Sequence, residues 1–215
     1  MSVTTYGELK TAIANWLEDS TLTARVPEFI ALAQAKMYRG LSGPMGWIVQ
    51  PLRIRDMLTT ANITVTSGAG TLPAGWLEFE RLWIDSSGQP NLKFLPVDTF
   101  YDNEIAHDTS GTATHYTIEG STIRTAPQVS TTLKSLHYAK FTAMSADGDA
   151  DWIVTNAPHV YLHGALAEAW GYKLDGEQEA KHAGLFAQAV KGLMATDAQA
   201  QHAGAQLIMR ARGVA

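Results

Sequence analysis

The spacing of apolar residues changes twice along this chain. Near the start, Leu9, Ile13, Trp16 and Leu17 recur at three- and four-residue intervals, and Thr5 stands three places before Glu8. That pattern predicts an amphipathic helix over about residues 5–18, opened by a capping box in which hydroxyl and carboxylate satisfy otherwise orphaned amides. Pro27 suits the first turn of a second helix whose stripe is Phe29, Ile30, Ala33, Met37 and Leu41, stopped by Gly40 and Gly43-Pro44. From about residue 47 the apolar positions become short β-branched and aromatic runs between Gly, Pro, Asn and Ser. Six strands are predicted, at 62–66, 77–85, 92–95, 116–118, 122–125 and 133–138. The glycines of residues 86–90 and 119–121 favour hairpin connections, so the strands should be mostly antiparallel. Residues 98–105 read as a short helix and Gly68-Ala69-Gly70 as a turn.

The last third returns to the helical period. Asn156 is placed to cap and Pro158 to open a helix whose stripe is Tyr161, Leu162, Ala165, Leu166, Ala169 and Trp170, with Asp175-Gly176 as its stop. From Glu177 to about Arg210 runs an alanine-rich pattern carrying Leu185, Phe186, Val190, Leu193 and Met194, with Gly184, Gly192 and Gly204 permitting close helix approach. Beyond Thr196 the stripe thins, and Leu207, Ile208 and Met209 are too little surface to bury without a partner. The expected fold class is α+β, a helical body from the N- and C-terminal helices with an inserted antiparallel β-domain. The expected domains are 1–46, an N-terminal helix pair; 47–150, the β-domain; and 151–215, helices and a docking tail in one structural unit with the first.

Composition narrows the chemistry. At 215 residues the chain can bury a sizeable core. Charged residues make up 17%, below the roughly 25% of ordinary soluble domains, which leaves uncharged surface for burial in an assembly. The net charge is −5 with no Lys/Arg cluster, which argues against tight nucleic-acid binding by one subunit. There is no cysteine, which removes disulfides, thiol catalysis and cysteine-based zinc sites. The first residues lack a signal-peptide pattern and no 18-residue apolar run occurs, so synthesis in a cytoplasm is expected.

Four sets of residues are candidates for chemistry. His159 and His163 lie one helical turn apart, as a zinc pair requires, but no third ligand is near, which favours a solvated or interface pair. Asp147, Asp149 and Asp151 match the start of a calcium loop, yet Trp152 and Pro158 occupy its glycine and glutamate positions, so an acidic surface turn is expected. Ser42, Ser67, Ser86 and Ser110 have no nucleophile-elbow context and no readable histidine partner. Trp16, Trp47, Trp76, Trp83, Trp152 and Trp170 are expected mostly in cores. No catalytic, cofactor-binding or metal-binding set is assigned, and no cofactor is expected.

Four stretches, taken in order, carry a resemblance over nearly the whole chain: Tyr6–Leu17 with Val26–Arg39, Leu72–Glu78, Tyr116–Pro127 and Ala157–Ala169. They are similar to the head-to-tail adaptor proteins of tailed phages, including the tail-tubular-protein-A-like connectors, with a departure after Thr196. The resemblance implies a non-enzymatic structural subunit that forms a homo-oligomeric ring of twelve copies below the portal protein. It would attach the tail or nozzle protein and leave a central channel through which DNA passes without specific binding. It implies a place at the virion's head–tail junction after assembly in the host cytoplasm, with no membrane partner. Leu207, Ile208, Met209, Arg210 and Arg212 are the expected portal-docking residues. Twelve copies would carry about −60 formal charges, and acidic walls let a duplex slide without sticking. The alternatives are a glycan- or receptor-binding module of a phage tail, and an enzyme with a site near His159 and His163. The strong helices flanking the β-domain favour the adaptor.

Overall fold

The computed structural model describes residues 3–42, 48–85 and 90–202. Its helices are α1 (Tyr6–Leu17), α2 (Val26–Arg39), α3 (Val97–Tyr101), α4 (Trp152–Asn156), α5 (Pro158–Tyr172) and α6 (Gly176–His202). Its strands are β1 (Leu41–Ser42), β2 (Ile48–Val49), β3 (Leu58–Thr66), β4 (Ala69–Thr71), β5 (Trp76–Ile84), β6 (Lys93–Phe94), β7 (His115–Glu119), β8 (Thr122–Ala126) and β9 (Thr131–Ala139). The fold is α+β. The chain forms two compact units, one from residues 1–55 and 142–215 and the other from 56–141.

In the helical unit, the Thr5 hydroxyl accepts from the Glu8 amide while the Glu8 carboxylate accepts from the Thr5 amide, so α1 starts with the expected capping box. The next two orphan amides, of Tyr6 and Gly7, donate to the carbonyls of Asp149 and Asp147. Helix α5 is central and buries Val160, Tyr161, Gly164, Ala165, Leu166, Ala167 and Ala169, residues spread around most of its circumference. At Gly164 a Cβ would lie 2.8 Å from the Ala33 Cβ of α2 and 3.2 Å from the Phe186 ring of α6. That glycine lets the flanking helices close on α5. Leu41 belongs to β1, which pairs with β2, and not to the stripe of α2, because Gly40 ends the helix.

The start of α5 differs from expectation. Asp151, not Asn156, is the cap: its carboxylate accepts from the Val154 amide and opens the short α4. Asn156 is the last residue of α4 and donates to the Trp152 carbonyl. Ala157 then breaks the helix with an extended φ before Pro158 restarts it.

The second unit holds one seven-stranded sheet in the order β5-β9-β3-β4-β8-β7-β6. All neighbours are antiparallel except β6 and β7, which are parallel and joined by α3 and a 3₁₀ turn over Glu104–His107. The neighbours are thus mostly antiparallel, as expected, and the one parallel pair arises because the helical segment carries the chain back across the sheet before β7 begins. Of the expected turn Gly68-Ala69-Gly70, Ala69 and Gly70 instead belong to the central strand β4. Gly68 does lie in the turn, with Ser67 before it, both at positive φ, as a two-residue type I′ hairpin requires. A Cβ on Gly70 would lie 2.9 Å from the Thr64 carbonyl, so the small residues of β4 fit a crowded position. The sheet curls until its edges are bridged: Asn91 pairs with Trp83, and the Leu92 amide donates to the Leu82 carbonyl at 2.8 Å. Ile63, Val65, Leu82, Leu92, Ile123 and Leu133 fill the interior of this nearly closed barrel.

Candidate functional surfaces

His159 and His163 line one groove, and a third histidine joins them. His163 finds its partner on α6, where His182 is 5% exposed and its Nδ1 lies 3.2 Å from that of His163. One ring therefore holds its proton on Nδ1 and the other accepts there. The Trp16 indole stands edge-on to both rings, at centroid distances of 6.0 and 6.2 Å. Burial lowers both histidines below their ordinary pKa, helped at His163 by His159 and at His182 by His163 and Lys181. Sequence reasoning missed His182. The signal was available, because positions 163 and 182 lie at similar distances from the turn at 173–175 and so come level in an antiparallel hairpin. Among the described residues, no three His, Asp or Glu side chains are grouped to hold a metal.

The three aspartates face different partners. Asp147 pairs with Lys10 at 2.5 Å, and Asp149 accepts from the amides of Ser145 and Ala146, which hold its pKa low. Asp151 is not on the surface. It is 6% exposed, accepts a 2.5 Å bond from the Tyr161 hydroxyl, and Tyr161 accepts from Gln34. Burial raises the pKa of both Asp151 and Tyr161. Carboxylates aimed at separate partners do not converge on one cation.

One serine–histidine contact was not foreseen. In β9, Ser135 and His137 are buried, with Oγ and Nδ1 3.0 Å apart. The Ser135 hydroxyl donates to the Ala61 carbonyl, so His137 donates to Ser135 and does not act as its base. The alternation of β9 turns both toward the interior with Leu133.

Exposed apolar residues mark two surfaces. On the helical unit these are Trp16, Leu32, Tyr172, Leu174 and Leu185, with Leu174 92% exposed. On the β unit they are Phe94, Val97, Tyr101 and Ile105, all close together in the chain. Contrary to the expected core packing, none of the five described tryptophans is fully buried, and Trp47 lies outside the described residues. An open groove of about 450 Å³ runs beside α1 past Lys10, Ala14 and Pro27. Another, of about 490 Å³, lies between α5 and α6 and is lined by His159, His163, Leu185, Ala189, Gly192 and Leu193. The expected docking residues Leu207, Ile208, Met209, Arg210 and Arg212 lie outside the described residues.

Compared with protein families, the chain matches SU10 adaptor protein over residues 4–210, through both compact units. The chain belongs to the SU10 adaptor protein family. It is thus a phage head–tail adaptor, a structural component of the virion that meets other head and tail proteins. The match extends past Thr196, so the departure expected there is not a break in family likeness. A comparison with curated proteins finds no match. In the adaptor, no described helix is long and apolar enough to cross a membrane.

Proposed function

We propose that this adaptor forms a ring of twelve copies that docks on the portal, receives the tail or nozzle protein, and leaves a central channel for DNA. Family membership across 207 of the 215 residues carries this reading, because it spans both units and reaches Arg210. The acidic balance of −5 per copy suits a channel through which phosphates must move freely. The segment Leu207–Met209 supplies an apolar contact to the portal, and Arg210 and Arg212 pair with acidic groups there. Residues 56–141 act as an inserted domain on the helical body, and assembly takes place in the host cytoplasm.

Negative-stain imaging of the full chain, alone and with the portal of the same phage, tests the ring. Rings docked on portals are expected; a monodisperse monomer in both samples would refute them. Truncation after Ala203 tests the tail. Head–tail joining should be lost with little change in subunit melting, and unchanged joining would remove the docking role.

A further inference from the structure

The turn between α5 and α6 is built in a way that costs the isolated subunit. The Asp175 amide donates to the Trp170 carbonyl and the Leu174 amide to the Gly171 carbonyl, the two bonds of a Schellman ending. In that motif the residue at position 174 takes the left-handed conformation, and glycine usually stands there because any Cβ is strained. Here it is Leu174, at φ +60° and 92% exposed, so a large apolar side chain is held out in water on a strained backbone. Beside it Tyr172 is 54% exposed, with its ring against Phe29 and beneath the Arg25 guanidinium. Covering the tip would take the apolar surface of both side chains out of water.

The same hairpin carries a surface of matching chemistry. The groove between α5 and α6 has no Asp, Glu, Lys or Arg in its lining. Gly192 opens it, since a Cβ there would meet nothing within 4 Å. The groove lies roughly 20 Å along α6 from the tip at 1.5 Å per residue, so the tip cannot fold into it. The flanking charges are complementary. Exposed Glu177 and Glu179 lie at the tip, exposed Lys191 adjoins Gly192, and none of the three has an ion-pair partner among the described residues.

We propose that Tyr172 and Leu174 of one copy seat in the α5–α6 groove of the next copy of this chain. Two different patches meeting in this way make a head-to-tail contact, which closes into a ring when the rotation per step allows it. The assignment rests on the proposed ring and names its interface.

The absence of cysteine makes a direct test possible. The full chain carrying both Leu174→Cys and Gly192→Cys is treated with a short bismaleimide, alone and with the portal, and imaged in parallel. A ladder of covalent multimers is expected, whereas an equimolar mixture of the two single-cysteine chains should stop at a covalent dimer. Leu174→Gly should raise subunit melting by about 2 °C through relief of strain, yet weaken association about tenfold or more. Gly192→Trp should block association without lowering melting. Rings that yield only monomer on crosslinking would overturn this interface and leave the ring intact. A ladder without closed rings would support the contact and refute the ring; neither ladder nor ring would overturn both.

Discussion

In the helical unit a glycine lies where three helices meet, whereas in the β unit glycines lie where the chain reverses or strands crowd. Gly164 has no special backbone angle; its lack of a side chain lets α2 and α6 approach α5. Gly68 sits at φ +76°, and a Cβ there would also lie 2.8 Å from the Cα of Gln128. The first unit is thus sensitive to side-chain volume between helices, and the second to the backbone geometry that sets strand register. The units also differ in what they bury. The helical unit encloses Asp151, Tyr161 and His182, while the barrel interior is built on aliphatic residues with Phe79 and Tyr116 packed against them, and its buried polar side chains include Ser135 and His137.

The largest effect is expected at Gly164. Gly164→Val should destabilise by about 3 kcal/mol, because close-packed helices must separate to admit it. Hydrogen exchange should show lost protection in α2, α5 and α6 with the β amides little changed; equal loss in both units would break the comparison. Gly68→Ala should cost about 1–2 kcal/mol from left-handed strain and the Gln128 contact, with the loss confined to β3, β4 and β8. Spread of that loss into the helices would show that register and helix packing are coupled.

Asp151 offers a pH-dependent contrast. Its folded pKa is raised, so the fold binds its proton more tightly than the unfolded chain does. Its stabilising contribution is full below the ordinary carboxylate value and is lost as pH rises through the raised one. Asp151→Asn should therefore gain on the parent between pH 3.5 and pH 7 in urea melts, and a gap independent of pH would mean that the charge is fully compensated. The smallest effect is the histidine titration. His137 in the barrel, and His163 and His182 in the helical unit, are all lowered from 6.5 chiefly by burial. Their contribution is present above that value and is lost as pH falls through the folded values. Proton NMR should show all three titrating below an exposed histidine, and an ordinary value for His182 would mean that its side of the α5–α6 contact opens.

Local signals were read well where the partners are close in sequence. Thr5 with Glu8, the buried Leu9, Ile13 and Leu17 of α1, the buried Phe29, Ile30, Ala33 and Met37 of α2, and the hairpin at Gly120 all depend on residues within a turn or two of one another. The errors lie where two local choices were equally good. Asn156 and Asp151 can each cap a helix, and burial against Tyr161 together with the break at Ala157 decided for Asp151. Ala69 and Gly70 have poor strand propensity and are in a strand because β3 and β8 supply their partners. Of the surfaces, Trp16 and the small residues of α6 were noticed, but their exposure was not legible, since a helical stripe does not say which side a neighbour covers.

The sequence by itself determined the succession of helices, strands and helices, the capping of α1, the α+β class and a composition suited to assembly, because periodicity, capping and turn chemistry act over a few residues. Tertiary structure alone decided that His163 meets His182, that Asp151 is buried, that β6 runs parallel to β7 and that Leu174 stands in water. Each depends on which distant segments come level with one another, and that is settled by packing across the whole unit.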